Sequence, residues 1–260
     1  MPKVRLDHLL VSRGLAETRT KAQALVMAGS VRVAGQTLSK PGTLVDSGAE
    51  VQVSAGLPYV SRGGYKLAHA LDQFGLDPRG LTALDVGAST GGFTDVLLQR
   101  GATRVYAVDV GYGILDYRLR ADVRVVALER TNIRYLTALP DQSRVACAVI
   151  DVAFISLRLV LPAVVPLLEP AAWIVALIKP QFEAGPEHVG KGGVVHDPAI
   201  HRKVLQDVLG YAQTHALTLC GLVRSPITGP AGNHEFLAWL QPGGPALDLA
   251  RALPQVVEQG

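Results

Sequence analysis

From Leu81 onward the apolar positions fall into short runs, each closed by glycine, proline or charged residues. Between them, apolar side chains recur three or four positions apart. The runs at 83–86, 105–109, 123–127, 146–151, 173–178, 217–223 and 236–240 predict seven buried strands, and spacings such as Phe93, Val96, Leu97 predict the helices that connect them. Strands alternating with helices in this way make an α/β domain, a mostly parallel sheet with helices on both faces. A further helix, carrying Tyr65, Leu67, Ala68, Ala70, Leu71 and Phe74, precedes the first of these strands.

The first fifty residues follow another pattern. Leu6, Leu9 and Leu10 share one helical face that stops at Gly14, and Thr18 is placed to cap a second helix with Ala22, Leu25 and Val26 inward, ending at Gly29. Short strands are expected at 31–33 and 51–53, with turns at Gly35, Pro41-Gly42 and Gly48. The domain reading is therefore 1–54 for a small α+β domain, 55–64 for a linker, 65–245 for the α/β domain and 246–260 for a tail. Residues 159–178 are nearly all apolar, but Pro162, Pro166, Glu169 and Pro170 interrupt them. A helix, a turn and a buried strand suit that stretch better than a membrane span.

Composition changes the picture in one respect. With 48% hydrophobic and 18% charged residues the chain reads as a soluble globular protein, yet its net charge of +3 is unevenly spread. Residues 1–50 hold seven basic side chains against four acidic ones, and the remainder is neutral. A basic small domain beside a neutral one suggests a polyanion held by the first and processed by the second. Cys147 and Cys220 stand in apolar runs without metal-ligand spacing, and no metal is expected. Free thiols and the lack of a recognisable leader make the cytoplasm the expected location.

The chemistry centres on Asp85-Val86-Gly87-Ala88-Ser89-Thr90-Gly91-Gly92, a glycine-rich bend between the first strand and its helix. Glycines there admit left-handed backbone and let a ligand approach the main chain. The next strand ends in Asp109, where an acid can accept hydrogen bonds from ribose hydroxyls. A nicotinamide or other nucleotide site would share these features. The spacing Asp-x-Gly-x-x-x-Gly-Gly resembles motif I of the S-adenosylmethionine methyltransferases, which implies a Rossmann-like sheet of seven strands, the last antiparallel. It also implies cofactor contacts from Asp85, Gly87 and Gly91 around the methionine part, Ser89 and Thr90 nearby, Asp109 on the ribose and Asn132 on adenine.

Asp151 and Lys179 each close a strand at its carboxyl end, the edge where α/β enzymes bind ligands. Lys66 starts the first helix of the domain, and Glu235 precedes the last strand. Together they resemble the Lys-Asp-Lys-Glu tetrad of the ribose 2′-O-methyltransferases related to FtsJ. The strings around Lys66, Ile178-Lys179-Pro180-Gln181-Phe182-Glu183 and Gly232-Asn233-His234-Glu235 look like the TlyA branch of that family, with Ala153 standing where a serine is expected.

The basic segment at 5–36 is similar to the small S-four RNA-binding domain named after a protein of the small ribosomal subunit. That likeness implies RNA contacts from Arg5, Arg13, Arg19, Lys21 and Arg32, to which Arg62 is added. The resemblance implies an enzyme that methylates ribose 2′-hydroxyls of cytidine in ribosomal RNA, with Lys66, Asp151, Lys179 and Glu235 as catalytic residues and ribosomal RNA or subunits as partners. A membrane-active haemolysin and a non-catalytic rRNA-binding assembly factor are the competing expectations.

Overall fold

The computed structural model describes residues 2–27, 30–38, 40–53 and 58–258, apart from the side chains of Ala24 and Met27. It divides into two units, Met1–Pro58 and Tyr59–Gly260. In the first, β1 (Lys3–Arg5) runs straight into α1 (Leu6–Ser12), and α2 (Arg19–Met27) follows a short turn. Thr18 accepts the backbone N–H of Lys21 at 3.2 Å, capping α2; its expected end at Gly29 lies outside the described residues. Three strands, β2 (Val31–Val33), β3 (Gln36–Thr37) and β5 (Val51–Val53), form an antiparallel sheet, and β4 (Leu44–Asp46) pairs antiparallel with β1. Ala34 and Gly35 both have positive φ, the geometry of a tight hairpin between β2 and β3. Leu6, Leu9, Leu10, Ala22, Val26, Val31 and Val33 make the core.

The second unit begins earlier than the expected linker allows. Tyr59 packs edge-to-face on Tyr65, and the Val60 N–H donates to Asp95 at 2.8 Å, so residues 59–64 belong to this unit. Residues 54–57 lie outside the described residues. The elements then run α3 (Gly63–Phe74), β6 (Thr82–Val86), α4 (Gly92–Gln99), β7 (Arg104–Val108), α5 (Tyr117–Arg120), β8 (Val125–Leu128), β9 (Val145–Ile150), α6 (Leu157–Val164), β10 (Leu168–Ile178), α7 (Pro180–Glu183), α8 (Pro198–Thr214), β11 (Leu217–Arg224), β12 (Phe236–Pro242) and α9 (Leu249–Glu258).

The seven strands lie in the order β11-β12-β10-β9-β6-β7-β8, all parallel except β12, which is antiparallel to both neighbours. Alternate residues along each strand feed two apolar layers. Leu84, Val86, Ala148 and Ile150 face α6, α8 and α9, while Ala83, Val105, Cys147 and Val149 face α3 and α4. The proline-broken stretch is α6, a turn and β10, which bulges between Leu168 and Trp173.

The expected tail is a helix. In α9, Leu253, Val256 and Val257 lie at i, i+3 and i+4 and join the core beside α8. That amphipathic face outweighs Pro254, the residue that argues against a helix here.

Candidate active site

At the end of β6 the chain turns through three left-handed residues, Gly87 (φ +84°), Ser89 (φ +49°) and Gly91 (φ +96°), before α4 starts. Gly87 has no alternative. A Cβ there would stand 2.4 Å from the backbone oxygen of Asp151, so β6 and the end of β9 can meet only over a glycine. Asp109, at the end of β7, is fixed by the same bend: the Ser89 N–H donates to its Oδ2 and the Gly111 N–H to its Oδ1, both at 2.7 Å.

Beneath the bend, Asp85 is fully buried. One carboxylate oxygen accepts the Thr94 hydroxyl at 2.6 Å and the other has no hydrogen-bond partner. Burial pushes this carboxyl up to about 7.

Four side chains far apart in sequence meet around one cavity of about 470 Å³. Lys66 Nζ, on the first turns of α3, lies 2.5 Å from Glu235 Oε2, which stands immediately before β12. Lys179 Nζ, directly after β10, lies 2.5 Å from Asp151 Oδ1, directly after β9. Glu235 is almost wholly buried and the other three are nearly so, which two closely matched ion pairs permit. Arg62, Ser89 and Thr90 also line this cavity.

A second cavity, of about 380 Å³, joins the first through Gly87, Ser89, Asp151 and Ala153, which line both. Its wall carries Asp109, Asn132, Val110, Ile133 and Phe154. Asn132 spends its side-chain oxygen capping the following turn, accepting the Arg134 N–H at 3.1 Å. Asp85 and Gly91 line neither cavity. The first lies under the bend, and the second opens α4 with Leu119 packed where a side chain would go.

In the first unit the basic side chains are mostly engaged by the protein itself. Buried Asp7 accepts Arg5 Nε at 3.0 Å, Arg5 Nη2 at 2.9 Å, Arg19 Nε at 3.1 Å and Gln23 at 3.0 Å, and the hydrogen bonds led by Arg5 hold its carboxyl far below the usual carboxylate range. Arg13 donates to the carbonyls of Ala49 and Ser47, and Lys21 pairs with Glu17. Arg32 is exposed on β2. These contacts leave donors of Arg5 and Arg19 facing solvent from a fixed base.

Several residues of the site have no signal in the sequence pattern. Phe154 is 90% exposed in a left-handed conformation (φ +62°), its ring 5.0 Å from that of Phe182. Arg130 stacks on exposed Tyr112 at 4.1 Å and Arg134 on exposed Tyr135 at 5.4 Å, on the loops that follow β7 and β8. The even charge count of residues 51–260 hides this local cluster of arginine and tyrosine.

The site suits a sulfonium nucleoside. It offers an unpartnered carboxylate oxygen of a kind that complements an ammonium group, a glycine cradle without side chains, a doubly anchored carboxylate for a ribose diol, and an apolar slot for a flat base. A seven-stranded sheet with one antiparallel strand and this bend at its carboxyl edge defines an S-adenosylmethionine-dependent methyltransferase.

The chain belongs to the FtsJ-like methyltransferase family, which it matches over residues 59–242, and residues 4–51 match the S4 domain. It is 50% identical over 240 residues to YqxC of Bacillus subtilis, named as an rRNA methyltransferase, a match covering 92% of this chain and 85% of that protein. It is 47% identical over 241 residues to the 16S/23S rRNA (cytidine-2′-O)-methyltransferase TlyA of Mycobacterium tuberculosis, covering 92% and 90%. A solved structure of a hemolysin-named protein from Streptococcus thermophilus superposes with a TM-score of 0.77 at 46% identity, covering 100% of this chain and 96% of the other.

Proposed function

We propose that this methyltransferase modifies the ribose 2′-hydroxyl of cytidine in ribosomal RNA, of the small and possibly also the large subunit, in the cytoplasm. The observation that carries the proposal is the meeting of Lys66, Asp151, Lys179 and Glu235 in a cavity that opens through Gly87 and Ser89 into a nucleoside-sized one. The names of the relatives supply the substrate.

S-adenosylmethionine supplies an activated methyl group on a sulfonium; Asp85, Gly87, Ser89, Thr90, Asp109 and Asn132 would hold it. What remains for the chain is to align a weakly acidic hydroxyl with that methyl and help its proton leave. In our reading Lys179 faces the hydroxyl, steering its lone pair or taking its proton, while Asp151 fixes the amine from 2.5 Å. Lys66 and Glu235 form the opposite wall, hold the ribose and keep the cluster electrically balanced. The first unit would bind RNA phosphates through Arg5, Arg13, Arg19, Lys21 and Arg32, with Arg62 at the cavity mouth; such contacts position RNA without reading its sequence.

The test is mass-spectrometric mapping of 2′-O-methylcytidine in rRNA from cells with and without the gene, and from cells carrying Lys179→Ala. Loss of the modification in both supports the reading. Retained methylation in the Lys179→Ala strain removes Lys179 from the mechanism. Among the described residues no helix is long and apolar enough to cross a membrane. Leakage of liposomes caused equally by wild type and Lys179→Ala would count for the haemolysin instead.

A further inference from the structure

Asp151 and Lys179 are carried by separate segments, and the geometry points to a third residue that sets them in register. Glu183 ends α7, four residues after Lys179. Its carboxylate reaches across to the start of α6: Oε2 accepts the Ser156 hydroxyl at 2.6 Å and Oε1 accepts the Leu157 N–H at 2.7 Å. Those residues close the loop that leaves Asp151. The carboxylate therefore fastens the segment 151–157 to the segment 179–183, next to the rings of Phe154 and Phe182.

A cap supplied by a residue 26 positions away, rather than by the local Ser156 alone, is more than helix α6 requires. Ser156 already caps α6 by accepting the Arg158 N–H at 3.2 Å. The tie also acts on a loop that needs holding, because Phe154 sits in a backbone region that bulky side chains avoid.

We propose that Glu183 is a positioning residue for methyl transfer. It touches neither cofactor nor hydroxyl, and it acts by holding the Asp151 loop and the Lys179 turn at the separation the ion pair needs. The proposal rests on the reading of Lys179 and Asp151 given above. Misplacing a catalytic group by about 1 Å can cost on the order of 100-fold in rate.

The test compares Glu183→Ala with Glu183→Gln in the full-length protein, using tritiated S-adenosylmethionine and ribosomal particles from cells lacking the gene. Glutamine keeps the clamp, since its carbonyl can accept the Leu157 N–H and its amide can donate to Ser156. Glu183→Ala should lower kcat by about 10- to 100-fold while the affinity for S-adenosylhomocysteine stays within about threefold, and Glu183→Gln should restore most of the rate. Val164→Ala, a cavity in the buried face of α6, should lower the melting temperature without this loss of kcat.

Hydrogen exchange provides a readout independent of turnover. The Leu157 amide should exchange faster in Glu183→Ala and not in Glu183→Gln. Wild-type kcat in Glu183→Ala, an alanine-like rate in Glu183→Gln, or unaltered exchange at Leu157 would each overturn the proposal. An inactive wild type with the expected exchange pattern would instead strike the assigned substrate and leave the clamp standing.

Discussion

Lys66 and Glu235 stand 169 positions apart in the chain, and their charged ends lie 2.5 Å from each other inside the protein. Neither charge could be buried there alone. Removing one partner of such a pair typically costs about 3–5 kcal/mol, because the other is left uncompensated. Glu235→Ala and Lys66→Ala should therefore each destabilise the second unit strongly. The double replacement Lys66→Met with Glu235→Leu should recover much of that loss and remain inactive. Chemical denaturation of the four proteins with a parallel methyl-transfer assay checks both halves of the expectation. Additive losses in the double variant would contradict it.

Asp85 gives the protein a pH dependence of a defined sign. Its carboxyl is raised by burial to about 7, above its unfolded value, so between about pH 4 and pH 7 the folded state holds the extra proton. Stability from this group is present below that window and is lost as the pH climbs through it. Asp85→Asn should unfold at a higher temperature than wild type at pH 8 and at nearly the same temperature at pH 4, while binding S-adenosylmethionine more weakly. Melting curves at the two pH values decide it; a larger gain at the acid end would refute the assignment.

In the first unit, Asp7 holds Arg5 and Arg19 from inside the fold. Asp7→Asn should loosen both side chains and reduce RNA affinity by about tenfold, although it raises the net positive charge. A simple electrostatic account predicts tighter binding. Filter binding of rRNA fragments across a salt series separates the two, since pre-ordering alters affinity at every salt concentration whereas screening acts mainly at low salt. The tie should also fail in strong acid, below the ordinary carboxylate range, because the carboxyl is held down by its arginine partner.

Phe154 combines exposure with strain. Replacing it with glycine removes no buried apolar area and relieves a left-handed backbone, so Phe154→Gly should be neutral or more stable by about 1 kcal/mol. Methyl transfer should nonetheless fall at least tenfold, because an aromatic face beside the cavity can stack on a base. A stabilised variant with full activity would show that the ring serves nothing in the reaction.

The strand positions were legible because each buried strand is a short apolar run with a breaker behind it, and the period survives packing. Asp85, Gly87 and Asp109 were legible through their spacing, which reflects a local strand-turn-helix geometry. The gathering of Lys66, Asp151, Lys179 and Glu235 depends on strand order, in which β12 is inserted between β10 and β11. No spacing along the chain encodes that order, and only the resemblance pointed to it. Helix α9 was hidden by Pro254, and the clustering of Arg130 and Arg134 on tyrosines was hidden by a charge balance averaged over two hundred residues.

The insertion of β12 has a consequence for synthesis. Until residue 236 has left the ribosome, β10 has a bare edge where its antiparallel neighbour will sit, and Lys66 has no counter-ion. A nascent or truncated chain can thus build most of the sheet while the reaction chamber still lacks one wall. The enzyme is switched on by its own completion, and a fragment ending before that strand should be inert however well its cofactor half has folded.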